Sequence, residues 1–156
     1  MKTDTTHNAY HLELHFKRPI HSDMTHITEA KEANTFIREI IDTGLLNHKE
    51  FFWMIPLTNS NRILGIKEIS SGKTHSTTIS FKEIAQTALL SNARSCLLIH
   101  NHPSGNTNPS KSDIEVTKRI QKTLNLIDVE ILDHLIITQE GYYSFVENDH
   151  IIHPKS

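Results

Sequence analysis

The stretch Cys96 to Asp113, Cys-Leu-Leu-Ile-His-Asn-His-Pro-Ser-Gly-Asn-Thr-Asn-Pro-Ser-Lys-Ser-Asp, restricts this chain more than any other. It opens as a short apolar run suited to a buried strand and stops at His100-Asn101-His102. Alternate residues of a strand share a face, so the two imidazoles point the same way and Asn101 points away. The Pro, Gly and Asn residues that follow dictate a loop, which ends where Ser110 and Asp113 open a helical pattern. A strand end and a helix start thus bring two imidazoles and one carboxylate toward a single point. Three protein ligands with a fourth place left for water is the arrangement of a catalytic zinc site.

Each part also has an ordinary explanation. Ser110-x-x-Asp113 is a helix-capping pattern, with a hydroxyl on one orphan N–H and a carboxylate returning to another. A lone His-x-His pair is commonly the polar face of a strand, and this chain has twelve histidines. The combination at this spacing, divided by Pro103 and Gly105, argues for a site.

Composition sets the outer bounds. A chain of 156 residues with 37% hydrophobic residues has room for one domain with an adequate core. The net charge of -2 lacks the basic excess that accompanies nucleic-acid binding, so DNA contact is not supported by charge. Cys96 is the single cysteine, which excludes an intrachain disulfide and fits a reducing cytoplasm. No apolar run approaches the roughly eighteen residues of a membrane span, and the start carries no secretory pattern, so a cytoplasmic location is expected.

Taken in order, Tyr10 to Phe16 alternate as a strand whose His11, Glu13 and His15 face reads as solvated rather than as a metal site. Residues 1–27 are expected to be an N-terminal strand and linker, and 28–156 the domain. Thr28 is the expected N-cap of a helix with Ala33, Phe36, Ile37, Ile40 and Ile41 inward and Gly44 as its stop. Glu50 to Leu57 predicts a strand, Asn59-Ser60-Asn61 a turn and Arg62 to Ile69 the returning strand. Ser80 and Glu83 predict a capping box for a helix burying Ile84, Ala85, Ala88 and Leu89. After Asp113, the spacing of Ile114, Thr117, Ile120, Gln121 and Leu124 predicts a helix, followed by strands near Val129 to Thr138 and Tyr142 to Val146. The order β-α-β-β-α-β-α-β-β is that of a mixed α/β sheet.

The pattern His-x-His-Pro, six residues, then Ser-x-x-Asp resembles that of the JAMM (JAB/MPN) metalloproteases. The run His100 to Gly105, with Pro109-Ser110 and the later Leu132-Asp133-His134-Leu135, is similar to the RadC branch of that superfamily. The likeness covers residues 28 to 147. It implies an α/β fold of the MPN/JAB, cytidine-deaminase-like kind: a mixed, largely antiparallel curved sheet flanked by helices. It also implies a zinc-dependent metallopeptidase or isopeptidase acting on an unidentified peptide or protein. His100, His102 and Asp113 would hold Zn2+, Glu50 at the head of its strand would be the general acid/base, and Ser110 would stabilise the oxyanion. Glu68 on the returning strand is the alternative base. Asp133 and His134 would support a ligand histidine or merely interrupt a strand with polar groups.

Two other functions remain as alternatives. RadC-like proteins carry a historical DNA-repair label, and longer relatives have an N-terminal helix-hairpin-helix module for which this chain has no room. The contiguous His-Asn-His is not the dispersed motif of HNH nucleases. A non-catalytic MPN interaction module is the third class, although a scaffold has no need of Glu50 and Ser110 together.

Overall fold

A computed structural model describes residues 25–72 and 79–151 of the chain. The Tyr10 to Phe16 strand lies outside the described residues. Glu50–Leu57 forms β1, seven of whose eight residues are buried, so this strand runs through the interior rather than along an edge. It pairs antiparallel on one side with β2 (Lys67–Gly72) and on the other with β3 (Ser95–Asn101), which is buried throughout its length. β3 runs parallel to β4 (Glu130–Ile137), and β4 returns antiparallel to β5 (Tyr142–Ser144). The sheet order is β2-β1-β3-β4-β5. A parallel pair needs a crossover, supplied here by α3 (Lys111–Asn125).

Helices cover both faces. α2 (Phe81–Leu90) and α3 lie on one, where Ile84, Ala88, Ile120 and Leu124 pack with Phe52, Met54, Leu98 and Ile136. α1 (Ala30–Ile40) covers the other, where Ala33 and Ile37 meet Trp53, Ile55, Leu97, Ile99 and Leu135. The apolar residues of β1, β3 and β4 alternate between these clusters, so each of these strands is needed by both layers. The architecture is a mixed α/β, mostly antiparallel open sheet with three helices among the described residues, as the sequence implies.

Several local expectations are corrected. α1 starts at Ala30 with Glu29 as its N-cap, while the Thr28 hydroxyl donates to the Glu32 carboxylate at 2.9 Å instead of capping. Gly44 does not stop that helix. The chain leaves at Ile41 in extended conformation, and Gly44 sits in a 3-10 turn, Thr43–Leu45, where its N–H donates to Asp42 at 3.0 Å. Ile40 and Leu89 are exposed, because each lies off the stripe its helix presents to the sheet. The returning strand starts later than its apolar pattern suggests. Arg62 and Ile63 make isolated bridges, and regular pairing begins at Lys67, with a register shift opposite Phe52 and Trp53. Ser80 accepts the Glu83 N–H at 3.2 Å, but the Glu83 carboxylate pairs with Lys67 at 2.9 Å rather than completing a capping box.

Candidate metal centre

β3 ends where α3 is about to begin, at the carboxyl edge of a parallel strand pair, the place where open α/β sheets bind ligands. Alternation turns His100 toward the α2 and α3 face, where its ring lies flat against Phe52 at 5.9 Å between centroids. The His102 N–H still donates to the Ile137 carbonyl at 3.1 Å, so the strand path continues one residue beyond Asn101 and returns His102 to the side of His100. The two Nε2 atoms are 3.0 Å apart. Asp113 closes the triangle, with Oδ1 at 3.3 Å from His100 Nε2 and Oδ2 at 3.4 Å from His102 Nε2. One donor atom from each of the three residues lies within 4.8 Å of the others.

Capping and convergence turn out to be compatible. Asp113 Oδ2 accepts the Ser110 N–H at 2.6 Å and the Ser110 hydroxyl at 2.7 Å, while the Asp113 N–H donates to Ser110 Oγ at 3.1 Å. This reciprocal box fixes the carboxylate in the first turn of α3, and from there it faces both imidazoles. Burial works to raise the Asp113 pKa, but the His100 and His102 imidazoles beside it and the Ser110 hydroxyl hold it far below the usual carboxylate range. Burial likewise works against charge on His102. The Asp113 hydrogen bond, the Asn106 carbonyl 2.7 Å from Nδ1, and the charges of Asp113 and Glu50 outweigh it and raise that pKa.

Glu50 stands on the adjacent strand. Phe52 pairs with His100 across β1 and β3, and Glu50, two residues earlier, belongs to the same face. Both walls border a cleft of about 720 Å³ that holds His100, His102, Asp113, Glu50 and Ser110 together, with Phe52, Ile79 and Val116 as its apolar side. Glu68 pairs with Trp53, whose side chain packs on the α1 face, and it does not line this cleft.

Behind the histidines lies a buried polar line. His134 Nε2 is 2.7 Å from His100 Nδ1, and Thr117 Oγ1 is 2.7 Å from His134 Nδ1. His134 is completely enclosed, stacked on Phe145 at 4.6 Å, and burial holds its pKa well below the ordinary histidine value. Asp133 does something else. It accepts the Ser144 hydroxyl at 2.5 Å and the Val146 N–H at 3.0 Å, so it ties β4 to the segment leaving β5 and reaches no ligand.

Two contributors escaped the reading by motif. Asn101 is fully buried, and its amide binds the backbone at Leu46, Lys49 and Phe51. Thr117 looked like an ordinary inward helix position. The available signal was a hydroxyl on the inward stripe with Ile114, Ile120 and Leu124, four residues after Asp113.

The chain matches the RadC-like JAB domain family over residues 27–150. It is 42% identical over 121 residues to a UPF0758 protein of Flavobacterium johnsoniae, covering 78% of this chain and 52% of that protein. A UPF0758 protein of Pasteurella multocida is 40% identical over 123 residues, covering 78% of this chain and 55% of its own length. One from Cellvibrio japonicus is 33% identical over 132 residues, covering 84% and 58% respectively. The chain therefore spans about half the length of these curated relatives. Among the described residues, no helix is long and apolar enough to cross a membrane. With the matched region running from Ile27 past β5 and enclosing His100, His102 and Asp113, the chain belongs to the RadC-like JAB domain family.

Proposed function

We propose that this chain is a zinc-dependent hydrolase of the JAMM type, acting on a peptide or isopeptide bond in the cytoplasm. The observation that carries the reading is the convergence of His100, His102 and Asp113 in one cleft with Glu50 on its wall. Two imidazole nitrogens and a carboxylate oxygen form a borderline donor set that suits zinc, and three protein donors is the number that a catalytic zinc site uses. When bound, zinc supplies Lewis acidity that polarises an acyl carbonyl and makes water a nucleophile near neutral pH.

The remaining work falls to this chain's side chains. Glu50 takes a proton from the attacking water and returns it to the leaving amine, as a carboxylate at the cleft wall is placed to do. Ser110 donates its hydroxyl hydrogen bond to the oxyanion once the hydroxyl turns from Asp113 Oδ2, which accepts it in the resting protein. Phe52, Ile79 and Val116 keep one side of the cleft apolar, which strengthens the charge interactions inside it.

Elemental analysis of the purified protein tests the ligand set. Zinc is expected in the wild type and lost from His102→Ala and Asp113→Ala, and equal zinc in all three would remove the site. Glu50→Gln is expected to retain zinc and lose turnover of model peptide and isopeptide substrates. Unchanged turnover would move the base elsewhere.

A further inference from the structure

The hydrogen bonds behind His100 have a direction, and it is set at their far end. Thr117 sits four residues after Asp113 on α3, and its hydroxyl donates to the Asp113 carbonyl at 2.6 Å. A carbonyl only accepts and a hydroxyl has a single proton, so Thr117 Oγ1 offers His134 only a lone pair. His134 Nδ1, 2.7 Å away, must therefore carry the hydrogen. A neutral imidazole has one N–H, which leaves His134 Nε2 as an acceptor for His100 Nδ1 at 2.7 Å. His134 is enclosed between the Phe145 face at 4.6 Å and Phe52 at 5.4 Å, and no carboxylate among the described residues hydrogen-bonds to its ring. An imidazolium there would have no counter-ion in contact, and its Nε2–H would turn the order of bonds around.

We propose that Thr117 and His134 are positioning residues that keep the proton of His100 on Nδ1 and so keep the Nε2 lone pair turned to the cleft. The order of bonds stands on its own, while its purpose rests on the metal-centre reading above. The reverse order places an N–H on His100 Nε2, aimed at the point where the ligand atoms converge. It also sets a bare His134 Nδ1 against the lone pairs of Thr117. One helical turn thus links both kinds of ligand: Asp113 supplies the carboxylate to the front and, through its own carbonyl and Thr117, governs the imidazole from the rear. His102 has its own separate arrangement, since the Asn106 carbonyl accepts from its Nδ1. Protein partners of this kind orient ligand histidines and raise their basicity.

The test uses ¹⁵N-histidine-labelled protein, long-range ¹H–¹⁵N spectra of the zinc-free form, and zinc affinity by chelator competition. In the wild type, His100 is expected to carry its proton on Nδ1. Thr117→Val keeps the shape and removes the hydroxyl, and should give a mixed His100 tautomer with zinc affinity lowered roughly 10–100-fold. Thr117→Ser should restore both. A wild-type His100 protonated on Nε2 overturns the proposal without any variant. So does a folded Thr117→Val protein that binds zinc as tightly as the wild type and keeps the Nδ1 proton. If the wild type takes up no zinc, the hydrolase reading fails, and the tautomer in the zinc-free protein still decides the order of bonds.

Discussion

The Phe51 N–H donates to Asn101 Oδ1 at 2.7 Å, a side-chain bond that extends the pairing of β1 and β3 toward Glu50 from the residue between the two histidines. The same side chain donates from Nδ2 to the Leu46 and Lys49 carbonyls at 2.8 Å, so it grips the backbone on both sides of Glu50. Turning away from the imidazoles is thus a second function of that position.

Asn101→Ala would leave the Phe51 amide and two carbonyls without their partner in a fully buried place. Urea denaturation is expected to show a loss of about 2–4 kcal/mol, since each buried group left unpaired costs about 1–3 kcal/mol. A loss within the error of the measurement would mean that the Leu46 to Phe51 segment does not depend on this clamp.

In the metal-free protein, Asp113 and His102 stabilise one another through a lowered carboxyl pKa and a raised imidazole pKa. Their contribution is complete between the ordinary values of 3.8 and 6.5. It disappears as pH falls through the lowered carboxyl value or rises through the raised imidazole value. Unfolding free energies of wild type and His102→Gln should differ most inside that window and converge on the alkaline side. Zinc must displace the His102 proton, so titration calorimetry at about pH 6 should show proton release and weaker binding than at about pH 8.

Asp133 behaves in the opposite sense. Burial raises its pKa despite the bonds from Ser144, Val146 and the His134 N–H, so the folded state holds the proton more tightly than the unfolded chain. Its contribution is fully present below 3.8 and declines as pH rises through the folded value. Asp133→Asn does not titrate, and its stability relative to wild type should therefore improve as pH is raised from strongly acidic to neutral. A constant difference across a urea series at several pH values would contradict this.

Cys96 is fully enclosed in the core beneath α2 and α3, and burial pushes its thiol far above the ordinary range. An aromatic disulfide reagent should leave it unmodified in the native protein and modify it fully in urea. Rapid reaction without denaturant would show that this part of the core opens readily.

Much of the arrangement could be read from residue order because its determinants are local. His100 and His102 share a side through strand alternation, and Ser110 and Asp113 meet through one helical turn, so their spacing alone carries the geometry. The short apolar runs of β1 and β3 announced buried strands for the same reason. The failures involve partners far apart in sequence. Glu83 chose Lys67 over its own helix start, and Asn101 found carbonyls some fifty residues upstream. The Thr117 hydroxyl meets His134 only because α3 packs over β4, and no local pattern announces that contact. Leu89 was expected to face inward, yet it lies off the buried stripe of Ile84 and Ala88 and is exposed.

The antiparallel pairing of Phe52 with His100 carries a consequence for how such a site can fail. Side chains on a strand swap sides with every step, so a one-residue slip between β1 and β3 would carry Glu50 to the α1 surface and bring Phe51 to the side of the two histidines. No charge would change and no residue would be lost, yet Glu50 and the cluster of His100, His102 and Asp113 would then be separated by the thickness of the sheet.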